Sequence, residues 1–369
     1  MDTDRVMRYG FMKGWDHRME WVYEEENLAN RAQRQEYQAS LEKLIEQRRR
    51  AVDETRTAYA QHIREDVDAA RQEFVKMLGW PLTEYRPAQP CSVKSEQLFA
   101  SEEMTIDRVQ LELWPDFWFG GLVFRHRDGE KRPFMISQHG GAGTPELCSG
   151  LLPMGSVNYN GMTKRAFEMG ANIFAPQVFL WSVELFGGKE GQEGKERDEI
   201  RRPMDVSLKN LGGSMIAVEM TCLRRCVDYF AAQPWVCPEA MGMVGLSYGG
   251  QYTLFFSAIE PRIKAALSSC YFNDRHKVEW SDYTWFDAGE KFFDAEIAML
   301  SRPRRLFIQA GSDDPGFLSP DALHEWERLQ KLSADDLTWV DFNLFKGEHE
   351  FDKDDRQLRA VVDLLKAAL

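Results

Sequence analysis

Ser247 stands in Gly245-Leu246-Ser247-Tyr248-Gly249, and His349 in Gly347-Glu348-His349-Glu350-Phe351. Two adjacent acids, Asp313 and Asp314, follow Gly311-Ser312. These are the residue types of nucleophilic acyl transfer: a hydroxyl activated by an imidazole, and an imidazole held in one tautomer by a carboxylate. Only one of two neighbouring aspartates can face the ring, and the residues alone leave both open. Among the seven histidines, His17 and His62 fall in a charged helical region, and His126 lies between two arginines. His276 and His324 lie in polar runs, so all five read as surface groups. His139, in His139-Gly140-Gly141-Ala142-Gly143, belongs to a tight glycine turn and reads as structural rather than basic. His349 remains as the base.

The elements around these residues place them. Ala240-Met241-Gly242-Met243-Val244 is apolar enough for a buried strand, and Gly250 to Ser257 reads as the opening of a helix. A serine on so sharp a strand-to-helix turn must take strained backbone angles, and flanking glycines remove the side chains that would collide. A bare G-x-S-x-G arises by chance in roughly one chain in ten of this length, so the context carries the argument. Phe134 to Gln138 reads as a second strand running into the His139 turn, where backbone N–H groups could meet an oxyanion. Arg305 to Ala310 and Thr338 to Phe345 read as two more strands, ending just before the acids and before His349. In open α/β sheets, ligand sites collect at the carboxyl ends of strands.

With His139-Gly140-Gly141, Gly245 to Gly250, Pro261-Arg262-Ile263-Lys264-Ala265-Ala266, Gly311 to Asp314 and Gly347 to Phe351 in place, the chain resembles a known family. It is similar to α/β-hydrolases of the acetyl xylan esterase-like and dienelactone hydrolase-like branch, with an N-terminal helical addition. The resemblance implies a mostly parallel, doubly wound sheet flanked by helices. It implies a serine hydrolase for carboxylic esters, of a small acyl or carbohydrate type, working through Ser247, Asp314 and His349 in that chain order. The acid of the related G-x-x-D pattern is the third residue after the glycine, which is Asp314; Asp313 then steadies the turn. Backbone N–H groups of Tyr248 and Gly141 are the implied oxyanion hole. Dienelactone hydrolases proper carry a cysteine where this chain has Ser247, a departure that speaks against their particular lactone mechanism. The same triad could serve a lactone or a carbon–carbon bond; a peptidase, or a non-catalytic binding protein on this fold, are further alternatives. No metal or organic cofactor is called for.

Strand and helix alternate through the rest of the catalytic part, as parallel strands with crossover helices require. Residues 1–83 differ: from Glu24 to Gly79 there is no proline, and Tyr37, Leu41, Leu44, Ile45, Val52, Tyr59, Ile63, Val67 and Phe74 recur mostly at helical spacing. This predicts a helical arm or cap ahead of a catalytic domain spanning 84–369, and a possible homodimer through those helices. Gln177 to Asp205 reads as a long glycine-rich loop. His139, Trp181, Phe186 and Trp285 are the candidate lining of a substrate pocket. At 369 residues and 43% hydrophobic, the chain has ample core; a formal net charge of −13 disfavours nucleic acid and anionic membranes as partners. Its opening residues are acidic rather than signal-like, and its six cysteines are scattered, which suits reduced thiols and the cytoplasm.

Overall fold

The computed structural model describes residues 24–152, 158–180, 200–277, 284–334 and 336–369, with side chains from residue 30 onward. Trp181 and Phe186, and most of the glycine-rich stretch around them, lie outside the described residues.

Nine strands form one sheet: β1 (Val93–Ala100), β2 (Met104–Trp114), β3 (Phe117–His126), β4 (Arg132–Gln138), β5 (Asn172–Pro176), β6 (Val236–Leu246), β7 (Ile263–Ser269), β8 (Arg305–Gly311) and β9 (Val340–Phe345). Their spatial order is β1-β2-β3-β5-β4-β6-β7-β8-β9. The pairs β1–β2, β2–β3 and β3–β5 are antiparallel. From β5 through β4, β6, β7 and β8 to β9 every pair is parallel. Strand β5 is buried throughout, and β4 and β8 at all but their first residue, because helices cover both faces of a parallel sheet.

The helices, in chain order, are α1 (Glu24–Glu65), α2 (Val67–Leu78), α3 (Pro145–Cys148), α4 (Met162–Glu168), α5 (Arg202–Asn210), α6 (Met215–Ala231), α7 (Tyr248–Ile259), α8 (Asp294–Met299), α9 (Ser319–Leu332) and α10 (Arg356–Lys366). On one face Phe74, Ile216, Phe230, Phe255 and Leu329 share a core. On the other, Met162, Ala166, Leu358 and Val362 share a second. Apolar residues at three- and four-residue steps on each helix make this double winding possible. No helix among the described residues is long and apolar enough to cross a membrane.

Two elements differ from the sequence reading. Strand β1 is exposed along its length, and its Lys94-Ser95-Glu96-Gln97 gives no apolar alternation to read; backbone pairing with β2 makes it a strand. Helix α5 occupies the end of the stretch expected to be loop. His126 also departs from a solvated surface group: it is half-buried, with its ring stacked 3.9 Å from that of Phe167.

The chain divides into two compact units, Met1–Asp53 and Glu54–Leu369. Within the first, Tyr37, Leu41, Leu44 and Ile45 of α1 are exposed. Within the second, Ala60, Ile63, Phe74 and Leu78 belong to a core shared with the sheet. Arg71 Nε donates to Leu300 O at 2.9 Å, and Ser214 Oγ to Leu78 O at 2.7 Å. Asp66 starts α2 by accepting from Ala69 N at 2.9 Å. Gly79 ends it at φ 93°, in the region where glycine is favoured.

Candidate active site

Five neighbouring parallel strands bring the chemistry to the carboxyl edge of the sheet. Near the ends of β4, β6 and β7, Gln138 pairs with Gly245 and Gly245 with Ser268, and Gly311 of β8 pairs with Phe345 of β9. The chain leaves these strands into the His139 turn, Ser247, Cys270, Asp314 and His349.

Ser247 links β6 to α7 with φ 61° and ψ −123°. A side-chain-bearing residue rarely adopts a positive φ, and such strain persists only where the surroundings enforce it. Here they do. A Cβ on Gly245 would lie 2.2 Å from Gly249 O, and one on Gly249 2.2 Å from Gln138 O, so this turn closes only with glycine at both places. Ser247 N donates to Ser269 O at 2.9 Å, tying the turn to the end of β7. Leu246 and Tyr248 are buried on either side, while Ser247 is half-buried.

Asp314 is 3% exposed, whereas Asp313 faces solvent. Asp314 Oδ1 accepts from Gly316 N at 2.8 Å and Phe317 N at 2.9 Å, and Oδ2 meets His349 Nδ1 at 2.8 Å. Burial pushes this carboxyl up, but the hydrogen bond and charge of His349, with the two amides, outweigh it and hold Asp314 below the ordinary carboxylate range. An ionised carboxylate only accepts, so Nδ1 carries the proton and Nε2 is left as the basic nitrogen. Phe317 lies nearly parallel to the His349 ring, 5.6 Å between centroids, and fixes its plane.

The sequence reading missed what holds His349 in place. Cys270 sits at φ 49° just past β7 and donates its S–H to Glu350 O at 3.2 Å. Burial and then the Asp314 charge push this thiol up to about 12, so it is a protonated donor and not a competing nucleophile. Donor atoms of Cys270, Asp314 and His349 lie within 4.8 Å of one another, a spacing that metal ligands share; here hydrogen bonds occupy them. Asn160, at φ 48°, donates to Phe351 O at 2.6 Å and to Glu350 Oε2 at 2.8 Å. Backbone conformation cannot be read from a single cysteine or asparagine in a sequence.

The His139 turn packs against Ser247: a Cβ on Gly140 would lie 3.0 Å from Ser247 Cβ and 3.6 Å from its Oγ. Gly140 N donates to Tyr159 Oη at 2.9 Å. Its neighbour Gly141 is partly exposed. His139 is fully buried, and its Nδ1 donates to Gly140 O at 2.8 Å. Its Nε2 accepts from Val178 N at 3.3 Å and faces Gln177 Nε2 at 3.2 Å. Burial lowers its pKa to about 4, so it stays neutral with both nitrogens engaged and braces the turn. Trp285 is half-buried beside Phe255, 5.7 Å between ring centroids, and packs on the core.

A mostly parallel nine-stranded sheet wound on both faces, with an elbow serine between strand and helix, defines an α/β-hydrolase fold. Comparison with solved structures agrees. Acetyl xylan esterase 1 from Thermoanaerobacterium sp. JW/SL YS485 superposes with a TM-score of 0.54 at 14% identity, covering 82% of this chain and 93% of that one. A glucuronoyl esterase from Solibacter usitatus gives 0.54 at 12% identity, covering 80% and 91%. In sequence, the chain is 24% identical over 255 residues to a Bacillus subtilis (strain 168) protein named "Putative hydrolase YtaP", spanning 66% of this chain and 80% of that protein. No family model matches the chain.

Proposed function

We propose that this protein is a carboxylic ester hydrolase acting through Ser247, His349 and Asp314. The observation that carries the reading is Ser247, held at φ 61° at the end of β6, together with His349 past the end of β9, whose Nδ1 is already committed to Asp314. Nε2 of His349 takes the hydroxyl proton as Ser247 Oγ attacks the ester carbonyl, while Asp314 stabilises the imidazolium that forms. Backbone N–H groups of Tyr248 and Gly141 receive the developing oxyanion. The imidazolium returns its proton to the departing alcohol; a water deprotonated by the same nitrogen then releases the acid and frees Ser247. The Ser247 to His349 hydrogen bond forms as substrate seats, as catalytic contacts often do only in the loaded enzyme. Esters of small acyl groups, on simple alcohols or on carbohydrates, are the substrates to try first.

A fluorophosphonate probe tests this directly. It should label the wild type and not Ser247→Ala, whose ester turnover should fall by about a thousandfold or more. Labelling that survives the substitution would overturn the assignment.

A further inference from the structure

Beside the His139 turn opens a cavity of about 1130 Å³ that contains none of the proposed catalytic residues. Gln177 and Val178, the two residues engaged with the outer nitrogen of His139, are part of its wall, so it adjoins the turn that packs against Ser247. Its size is at the upper end of small-molecule sites.

The wall is chemically one-sided. The β2–β3 corner supplies Trp114, Phe117 and Trp118, and the end of α2 adds Trp80. Trp80 and Phe117 stay 43% and 40% exposed, large rings that a closed core would have covered. Among the described residues of the wall, Glu219 is the one charged group, and it is already used. Its Oε1 accepts from Phe179 N at 2.7 Å, while Oε2 pairs with Arg201 at 3.3 Å and accepts from Tyr252 Oη. The cavity therefore offers rings and alkyl surface with no unsatisfied charge. A charged ligand would lose its hydration there without compensation, and an unsubstituted sugar would find few partners for its hydroxyls.

We propose that this cavity seats a bulky, uncharged, ring-bearing part of the ester substrate, and so sets the enzyme's selectivity. The proposal rests on the esterase reading above. It asks the aromatic wall to discriminate between esters with equal chemistry at the carbonyl and different apolar bulk away from it.

Two substrate series separate the acyl from the alcohol side: ethyl acetate against 2-naphthylmethyl acetate, and ethyl acetate against ethyl 2-naphthylacetate. The methylene spacer keeps the ring from activating the leaving group. One series should gain about tenfold or more in kcat/KM from the ring, mostly through KM, the scale expected for burying one aromatic group. Ser207, exposed on α5 at the cavity wall, is none of the proposed catalytic or oxyanion residues. Ser207→Phe should obstruct the cavity and abolish the gain while ethyl acetate turnover stays within about twofold. Met204→Trp, from the same helix, should do likewise and guards against a folding artefact in one variant. If the fluorophosphonate labels Ser247 and ethyl acetate is hydrolysed, yet neither series gains or the gain survives both variants, the cavity proposal is wrong and the esterase reading stands. Without labelling or ester turnover, both fall.

Discussion

Asp314 has both carboxylate oxygens engaged, one by two backbone amides and one by His349, while Asp313 faces solvent with its N–H on Gly347 O. Asp314→Asn should therefore cost about three to four orders of magnitude in kcat, because the amide no longer fixes the productive tautomer. Asp313→Asn should cost less than about fivefold. Steady-state kinetics of the two variants decide the matter, and the reverse ranking would move the acid's role to Asp313. Since Asp314 is held below the ordinary carboxylate range, it remains ionised as pH falls. Cys270 offers a subtler test. Cys270→Ala removes the donor to Glu350 O and should lower kcat about tenfold with little change in KM, whereas Cys270→Ser keeps a donor and should recover most of it. Equal losses in both variants would mean that the thiol only fills space.

At the scale of elements, α8 and α9 meet over a buried ionic cluster. Glu325 of α9 is fully buried near Glu296 and Asp294 of α8, with Arg328 and Arg56 close by. Burial and then the charge of Glu296 raise Glu325 to about 8. In an unfolded chain a glutamate titrates near 4.3, so the folded state holds the proton more tightly. Its contribution is fully present below about pH 4 and is lost as pH rises through about 8. Glu325→Gln keeps the acceptor for Ala295 N and needs no proton. It should raise the thermal midpoint at pH 9 by roughly 1–2 °C, about 1 kcal/mol, and change little at pH 4. Thermal unfolding at the two pH values measures this; an equal shift at both would show that charge is not the cause.

For the molecule as a whole, the N-terminal helices carry a division that composition alone does not mark. Residues up to Asp53 form one compact unit, and the rest of α1 with α2 belongs to the other. Deleting residues 1–53 should leave fluorophosphonate labelling of Ser247 intact, while deleting 1–78 removes Phe74 and Leu78 from the core and should abolish soluble folded protein. The exposed Tyr37, Leu41 and Leu44 of α1 make a homodimer through this helix our proposal. Light scattering should then show a full-length dimer that the 1–53 deletion converts to a monomer. A full-length monomer would rule it out.

Much of the site was legible because its chemistry depends on local sequence. Ser247 lies on a turn that only glycine neighbours allow, and apolar runs mark the strands that end at the His139 turn, Asp314 and His349. Periodicity also marked the buried strands and the amphipathic helices, since burial on one face or two leaves its pattern in the residues. Strand β1 left no such trace, because an exposed edge strand is held by its neighbour's backbone. Nor did Cys270, Asn160 and Phe317, whose roles come from side chains and strained backbone that meet only when strands distant in sequence lie side by side. The resemblance pointed to Asp314 rather than Asp313, but only tertiary structure sets that side chain against the imidazole. Adjacent residues on a turn point in different directions, and which of them faces the ring depends on how β8 and β9 pair.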